Sequence, residues 1–215
     1  MAVNSSPAIV VFGDVIHSRL DPAGSSAWLR SLCAELQAQY GKQALAAFGF
    51  TQGDELQGLL QPSADPLGVI LRAALSHDAR PMRWAIAVGA VETGRGPATE
   101  RTGAAFVVAR AALEETRRQH SSLRIVTGVP AVDVLLDDLA PVLGSALENL
   151  SPTQRRVAGL ILVEGLRRSE VADRLQVSRA TVSVAASRGG VPSLERLSRA
   201  IRVLVDRSRT TELVG

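Results

Sequence analysis

Leu45-Ala46-Ala47-Phe48-Gly49-Phe50-Thr51-Gln52-Gly53-Asp54-Glu55-Leu56-Gln57-Gly58-Leu59-Leu60 decides the fold. Two apolar runs, 45–51 and 56–60, flank Gln52-Gly53-Asp54-Glu55. Gly-Asp supplies the dihedrals of a tight turn, so the segment predicts a β-hairpin. Upstream, Ala8-Ile9-Val10-Val11-Phe12 is a short β-branched run that predicts a buried strand ending at Gly13-Asp14. Between that strand and the hairpin, Trp28, Leu29, Leu32, Cys33, Leu36 and Tyr40 recur at helical spacing. Downstream, Leu67, Ile70, Leu71, Ala74 and Leu75 mark a second helix. A strand over 83–91 follows, with Trp84, Ile86 and Val88 on one face. A Gly/Pro-containing loop covers 93–102, a helix 104–119, a strand 123–127, and a helix or two 130–150. The order strand, helix, hairpin, helix, strand, helix, strand is a split βαβ pattern. It predicts an α+β, ferredoxin-like domain with an antiparallel sheet and helices on one face.

That topology sets Asp14, at the end of the first strand, beside the hairpin turn. Asp14, Asp54 and Glu55 then converge. Hard divalent cations take oxygen ligands, and magnesium is held by one or two carboxylates together with substrate phosphates. Acids on adjacent strand ends also repel one another, which a cation relieves. The plain alternative is a hairpin turn with solvated acids. Gly13 and the loop Val15-Ile16-His17-Ser18-Arg19 offer backbone N–H groups and one guanidinium to phosphate oxygens. His17 reads either as a ligand or as an exposed loop histidine. Residues 93–103 read as a flap over a ligand or as a polar loop.

Phe12-Gly13-Asp14 with the later Gly53-Asp54-Glu55 resembles the class III nucleotidyl cyclases and the GGDEF diguanylate cyclases. Arg83-Trp84-Ala85-Ile86-Ala87-Val88-Gly89 resembles the cyclase strand before the substrate loop, and Gly103 through Arg110 the start of the following helix. Gly13-Asp14 with Ser18-Arg19, the turn Gly53-Asp54-Glu55-Leu56-Gln57-Gly58, and Ala109-Arg110 are similar to the SatD family over roughly residues 8–128. The resemblance implies Asp14, Asp54 and Glu55 as metal ligands for Mg²⁺ or Mn²⁺. It implies Gly13, Val15, Ile16, His17, Ser18, Arg19, Gly53 and Arg110 as nucleotide contacts. The chain also departs from the cyclases. Phe106 stands where they carry a transition-state asparagine, four residues before Arg110. Losing such a donor costs orders of magnitude in rate, so the expectation is a domain that binds a metal–nucleotide without cyclising it well. For Arg110 the alternative is a pair with Glu114, four residues on.

The charge is split along the chain. Residues 1–149 hold Lys42 and eleven arginines against fifteen acids, a net −3; residues 150–215 hold twelve arginines against six acids, a net +6. Ser151-Pro152 opens a helix as cap and first residue. Ser169 reads as the cap of a short helix over 170–175, Gln176-Val177-Ser178 as a turn, and Ser178 as the cap of a helix over 179–187. Ser151-Pro152-x-Gln154, then Glu170-Val171-Ala172-x-x-Leu175-x-Val177-Ser178-x-x-Thr181-Val182-Ser183, resembles sigma-factor region four and the LuxR-type regulators. The resemblance implies a small all-α helix-turn-helix domain. Arg179, Ala180, Thr181 and Ser183 would face the major groove, with Arg167, Arg168, Ser178 and Arg188 at the backbone. The plain alternative is a helical bundle with a solvated basic face. In the last helix Leu194, Leu197, Ile201, Leu204 and Ser208 form a narrow seam. It serves either a homodimer or the chain's own core.

The remaining signals are exclusions. One cysteine, Cys33, cannot form an internal disulfide, which fits a reducing cytoplasm. The N-terminus lacks the pattern of a signal peptide, and no apolar stretch reaches the roughly 20 residues of a membrane span. Zinc-ligand spacing, GxSxG and Walker-type loops are absent from the sequence. The expectation is a cytoplasmic, dimeric transcription regulator. Residues 1–147 would sense a nucleotide and 148–215 would bind double-stranded DNA. The alternatives are an active cyclase or nucleotidyl transferase with a DNA-binding appendage, or a cyclase-like domain that serves only dimerisation.

Overall fold

The computed structural model describes residues 5–51 and 54–211, the side chains of Thr210 and Thr211 apart. The elements run β1 (Ser5–Val15), α1 (Pro22–Tyr40), β2 (Ala44–Phe50), β3 (Glu55–Leu60), α2 (Pro66–Ala74), β4 (Met82–Glu92), α3 (Ala104–Arg118), β5 (Leu123–Val126), α4 (Pro130–Glu148), α5 (Pro152–Leu162), α6 (Arg168–Leu175), α7 (Arg179–Arg188) and α8 (Val191–Thr211). The α+β class and the element order through β5 agree with the sequence reading.

The sheet has the order β2-β3-β1-β4-β5. Its first four strands pair antiparallel, but β5 lies parallel to β4. The sheet is therefore mixed rather than antiparallel. A parallel neighbour needs a crossover, and α3 supplies it, covering the face opposite α1 and α2. Helices thus lie on both faces, not one. Period-2 alternation sorts the side chains. In β4, Trp84, Ile86 and Val88 face the α1/α2 side, while Ala85 and Ala87 face α3. Small residues there let α3 sit close, with Phe12 and Phe106 meeting edge to face, centroids 5.9 Å apart.

The stretch 130–150 holds one helix rather than two, α4 over Pro130–Glu148, with Pro141 inside it. The cap assigned to Ser169 moves two residues upstream. Arg167 occupies the N-cap position of α6, and its backbone N–H donates to Glu170 at 2.7 Å. Ser178 caps α7 by accepting from Thr181 N–H at 3.0 Å. Gln176 takes the left-handed conformation that turns the chain between α6 and α7.

The expected boundary at 147/148 falls in the last turn of α4, and one apolar cluster runs across it. Gly159 of α5 lies so close to α2 that an added Cβ would sit 2.8 Å from Leu75 O. The seam on α8 is the chain's own core. Leu194, Ile201 and Ser208 are buried, as is Val205, and α8 packs on α4. Arg202 pairs with Asp65 at 2.9 Å and Arg209 donates to Ala64 O at 3.0 Å, tying α8 to the start of α2. Ile201 is fully buried; a side chain of that size contributes about 1.5–3 kcal/mol. The seam is therefore not free to pair two subunits.

Candidate functional site

Asp14 lies inside β1, opposite Glu55 of β3 on one side and Arg83 of β4 on the other. Directly opposed residues in antiparallel pairs share a face, so all three lie on the α3 side. Helix α3 lays Phe106, Arg110, Leu113 and Arg117 along that face at spacings of four, three and four. Arg117 Nε donates to Asp14 Oδ2 at 3.2 Å and its Nη2 forms an ion pair with Oδ1 at 2.9 Å, and Arg83 lies 3.8 Å away. Asp14 is only 5% exposed. Burial pushes its pKa above the usual value of 3.8; the hydrogen bonds and charge of Arg117 pull the other way.

Glu55 is buried too. Arg110 grips both its oxygens, one at 2.7 Å, and Gln57 donates to it at 2.7 Å. The Arg110 guanidinium lies over the Phe12 ring, 4.8 Å from its centroid. Its partner is Glu55 across the sheet, not Glu114 on its own helix. Asp54, at the end of the hairpin, accepts from Ser18 Oγ, and its backbone oxygen accepts from Val15 N–H at 3.0 Å. The acids are thus compensated by arginines and a hydroxyl, and repulsion among them is not the organising force. Among the described residues no cluster of three or more His, Cys, Asp or Glu side chains has the arrangement of a metal site.

Asp14 and Asp54 nevertheless line one open pocket together with Val15, His17, Ser18, Arg19, Arg83 and Arg117. Glu55 and Arg110 do not belong to it; Arg110 borders a neighbouring hollow with Phe12, Phe106 and Thr102. His17 is exposed and left-handed (φ 60), which bends the loop after β1. Ile16 is half-buried, and its N–H donates to Pro81 O at 2.8 Å, so it is committed to the fold. Gly13 packs against the Trp84 ring, facing away from the pocket. Gly53 lies outside the described residues. The loop after β4 is pinned back. Thr102 Oγ1 donates to Glu92 at 2.8 Å and Arg101 to Glu92 O at 3.1 Å.

Sequence reasoning missed Arg83, Arg117 and Gln57. Arg117 carried a signal, because it lies seven residues, two helical turns, after Arg110. Arg83 and Gln57 become visible only through strand register.

On the helical side, Arg167, Arg168, Ser178, Arg179, Ala180, Thr181 and Arg188 are exposed, and Ser183 is half-buried. The Arg167 side chain is held by Glu170 at 3.0 Å. Ser178 Oγ is occupied as the cap and by Thr181 Oγ1 at 2.8 Å. Val184, not singled out above, is 50% exposed on the same α7 face.

The SatD family model matches residues 8–137. The chain belongs to the SatD family. The matched region covers β1 to the first turns of α4, and so includes every residue of the pocket around Asp14. No curated protein matches this SatD-family chain. Among solved structures it is similar to a bacterial light-regulated adenylyl cyclase, with TM-score 0.40 and 17% identity over 57% of this chain and 76% of that one. It is also similar to the guanylyl cyclase Cya2, with TM-score 0.39 and 12% identity over 54% and 73%. A regulator of polyketide synthase expression from Bifidobacterium adolescentis aligns over 96% of this chain and 82% of that one, with TM-score 0.25 and 14% identity. Likenesses at this level carry nothing about the SatD-family chain's own activity. Among the described residues no helix is long and apolar enough to cross a membrane.

Proposed function

We propose that this protein is a DNA-binding regulator whose palm-like domain holds a nucleotide together with a divalent cation. The observation that carries this reading is the pocket at the end of β1, where Asp14 and Asp54 stand among Arg19, Arg83 and Arg117. A pocket with three arginines against two acids is net cationic and suits a polyphosphate; guanidinium groups pair with phosphate oxygens in a fork. The two carboxylates and the Ser18 hydroxyl are the oxygen donors a hard cation takes beside phosphate. The residues present fit that group: Asp14 and Asp54 would hold the metal, and the arginines the phosphates. Bound metal would neutralise phosphate charge, and Arg117 would shift part of its hydrogen bonding from Asp14 to the ligand. Glu55 serves instead as the anchor of Arg110.

Two features favour binding over cyclisation. Phe106 packs on Phe12 where a polar donor is needed. Arg110 is engaged by Glu55 and stacked on the same ring. Duplex DNA is the partner assigned to α6 and α7. A three-residue turn sets α7 with Arg179, Ala180, Thr181, Val184 and Arg188 outward, and the segment carries net positive charge. Fluorescence anisotropy with labelled duplex DNA tests this, with and without Mg²⁺ and nucleoside triphosphates. Binding that falls with salt, weakens in Arg179→Ala and changes with nucleotide supports the reading. Salt-insensitive or absent binding under all conditions overturns the DNA half of it.

A further inference from the structure

Helix α3 sets two arginines, two turns apart, on the two acids that oppose each other across β1 and β3. Arg110 takes Glu55 and Arg117 takes Asp14. The surroundings of the two pairs differ. Arg110 is stacked on Phe12, and Glu55 is also held by Gln57 at 2.7 Å. That pair stands outside the pocket at the end of β1, whereas Arg117 and Asp14 both line it. Arg117 belongs to the last turn of α3, and its side chain is 45% exposed. It can therefore swing without unpacking the core.

The oxygens that a metal would need are already covered. Arg117 Nε donates to Asp14 Oδ2 at 3.2 Å, and Nη2 stands 2.9 Å from Oδ1. Asp54 accepts from Ser18 Oγ. Arg83 lies 3.8 Å from Asp14, and Arg19 lines the same pocket. A bare divalent cation must approach three guanidinium groups and displace one of them from Asp14. A polyphosphate changes both conditions. It reverses the local charge, and it offers Arg117 the oxygens that a guanidinium fork pairs with.

We infer, on the reading of this pocket as a metal–nucleotide site, that Arg117 makes cation binding conditional on a polyanion. With its guanidinium on Asp14 the pocket refuses the free cation. A polyphosphate that draws the guanidinium away frees the Asp14 oxygens for the metal. Arg117 thus selects the metal–polyphosphate complex over the metal alone. Cation and polyanion then raise each other's affinity by the same factor. Arg110 has no such role, because Phe12 and Gln57 hold its pair together away from the pocket.

The test titrates Mn²⁺ alone into the full chain and counts the free ion by electron paramagnetic resonance. Arg117→Met should take up one ion at least about tenfold more tightly than the wild type, a factor ordinary for coupled sites. Arg117→Gln should show the same gain. Arg83→Met removes the same charge from the pocket but leaves Arg117 on Asp14, so its gain should be clearly smaller. Adding Asp54→Ala to Arg117→Met should remove the site. Melting temperatures are then compared with Mn²⁺ and inorganic tripolyphosphate, singly and together. The wild type should be stabilised only by the two together, and Arg117→Met by Mn²⁺ alone, which also shows that the variant is folded. Equal Mn²⁺ affinity in the wild type and both Arg117 variants overturns the inference, as does an equal gain in Arg83→Met. A gain confined to the Arg117 variants, with no wild-type response to Mn²⁺ plus tripolyphosphate, supports the bar on free metal and refutes the polyphosphate reading of the pocket.

Discussion

Replacing Arg117 by methionine is the most exacting test of the charge arrangement on the α3 face. The side-chain volume is roughly kept, while Asp14 loses its hydrogen bond from Arg117 at 3.2 Å and the ion pair at 2.9 Å. Stripping one partner from a fully buried pair costs about 3–5 kcal/mol; an exposed pair is worth about 0–1 kcal/mol. This pair is intermediate, since the Asp14 side chain is 7% exposed and that of Arg117 is 45%. Arg83 also remains, at 3.8 Å. The expected loss is therefore about 1–3 kcal/mol, or a few degrees of melting temperature at roughly 2–4 °C per kcal/mol. The loss depends on pH with a definite sign. Asp14 already sits above its ordinary value because of burial, so the fold retains its proton where the unfolded chain has released it. That contribution is complete at low pH and is lost as the pH rises through the folded value. Removing Arg117 raises the folded value further, so the variant's deficit is larger in neutral than in mildly acidic buffer. Urea denaturation of the wild type, Arg117→Met, Asp14→Asn and the double variant measures all of this. The double variant should recover most of the loss. A deficit below about 0.5 kcal/mol, flat with pH and equal with or without Asp14, would refute the reasoning.

Three further outcomes follow from the geometry. Gly103 has φ +136, and an added Cβ would lie 2.6 Å from Val91 Cα and 2.9 Å from Glu92 N, both backbone. Gly103→Ala should therefore cost at least about 1–3 kcal/mol, and unchanged thermal melting would contradict the placement of α3 on β4. Arg188→Ala should weaken duplex DNA binding uniformly and lower the salt slope by about one; an unchanged slope would remove Arg188 from the interface. The Cys33 thiol is buried and pushed up to about 11, so it should react with an aromatic disulfide reagent only once urea unfolds the chain. Fast native labelling would sink that expectation.

Much of the fold was legible because it is written in period. The alternation of Trp84, Ile86 and Val88 in β4 and the helical stripe of α1 arise from local geometry that any buried sheet or helix imposes. The hidden parts depend on contacts across the chain. Nothing near Leu123 indicates that β5 runs parallel to β4. Nothing near Arg110 distinguishes Glu114, one turn away, from Glu55, which is 55 positions away and is the actual partner. The seam on α8 read equally well as a dimer interface or a core because an apolar stripe does not name what covers it. The structure shows α4 and the start of α2 beneath it. The acids were conspicuous as Gly13-Asp14 at a strand end and Asp54-Glu55 at a hairpin turn, yet the register assigns Glu55 to Arg110 and leaves Asp14 and Asp54 facing the pocket with arginines that no short motif connects.

On the proposed function, the pocket at the end of β1 takes a metal-bound nucleotide. The most direct test is the melting temperature of the full chain with Mg²⁺ against a panel of nucleoside triphosphates and cyclic mono- and dinucleotides. A ligand that binds only the folded state stabilises it by RT ln(1 + [L]/Kd). The account predicts that at least one nucleotide raises the melting temperature in a metal-dependent way, and that Asp54→Ala and Arg83→Met, which face the same pocket, abolish the rise. No rise with any nucleotide, or a rise that survives both substitutions, would contradict it.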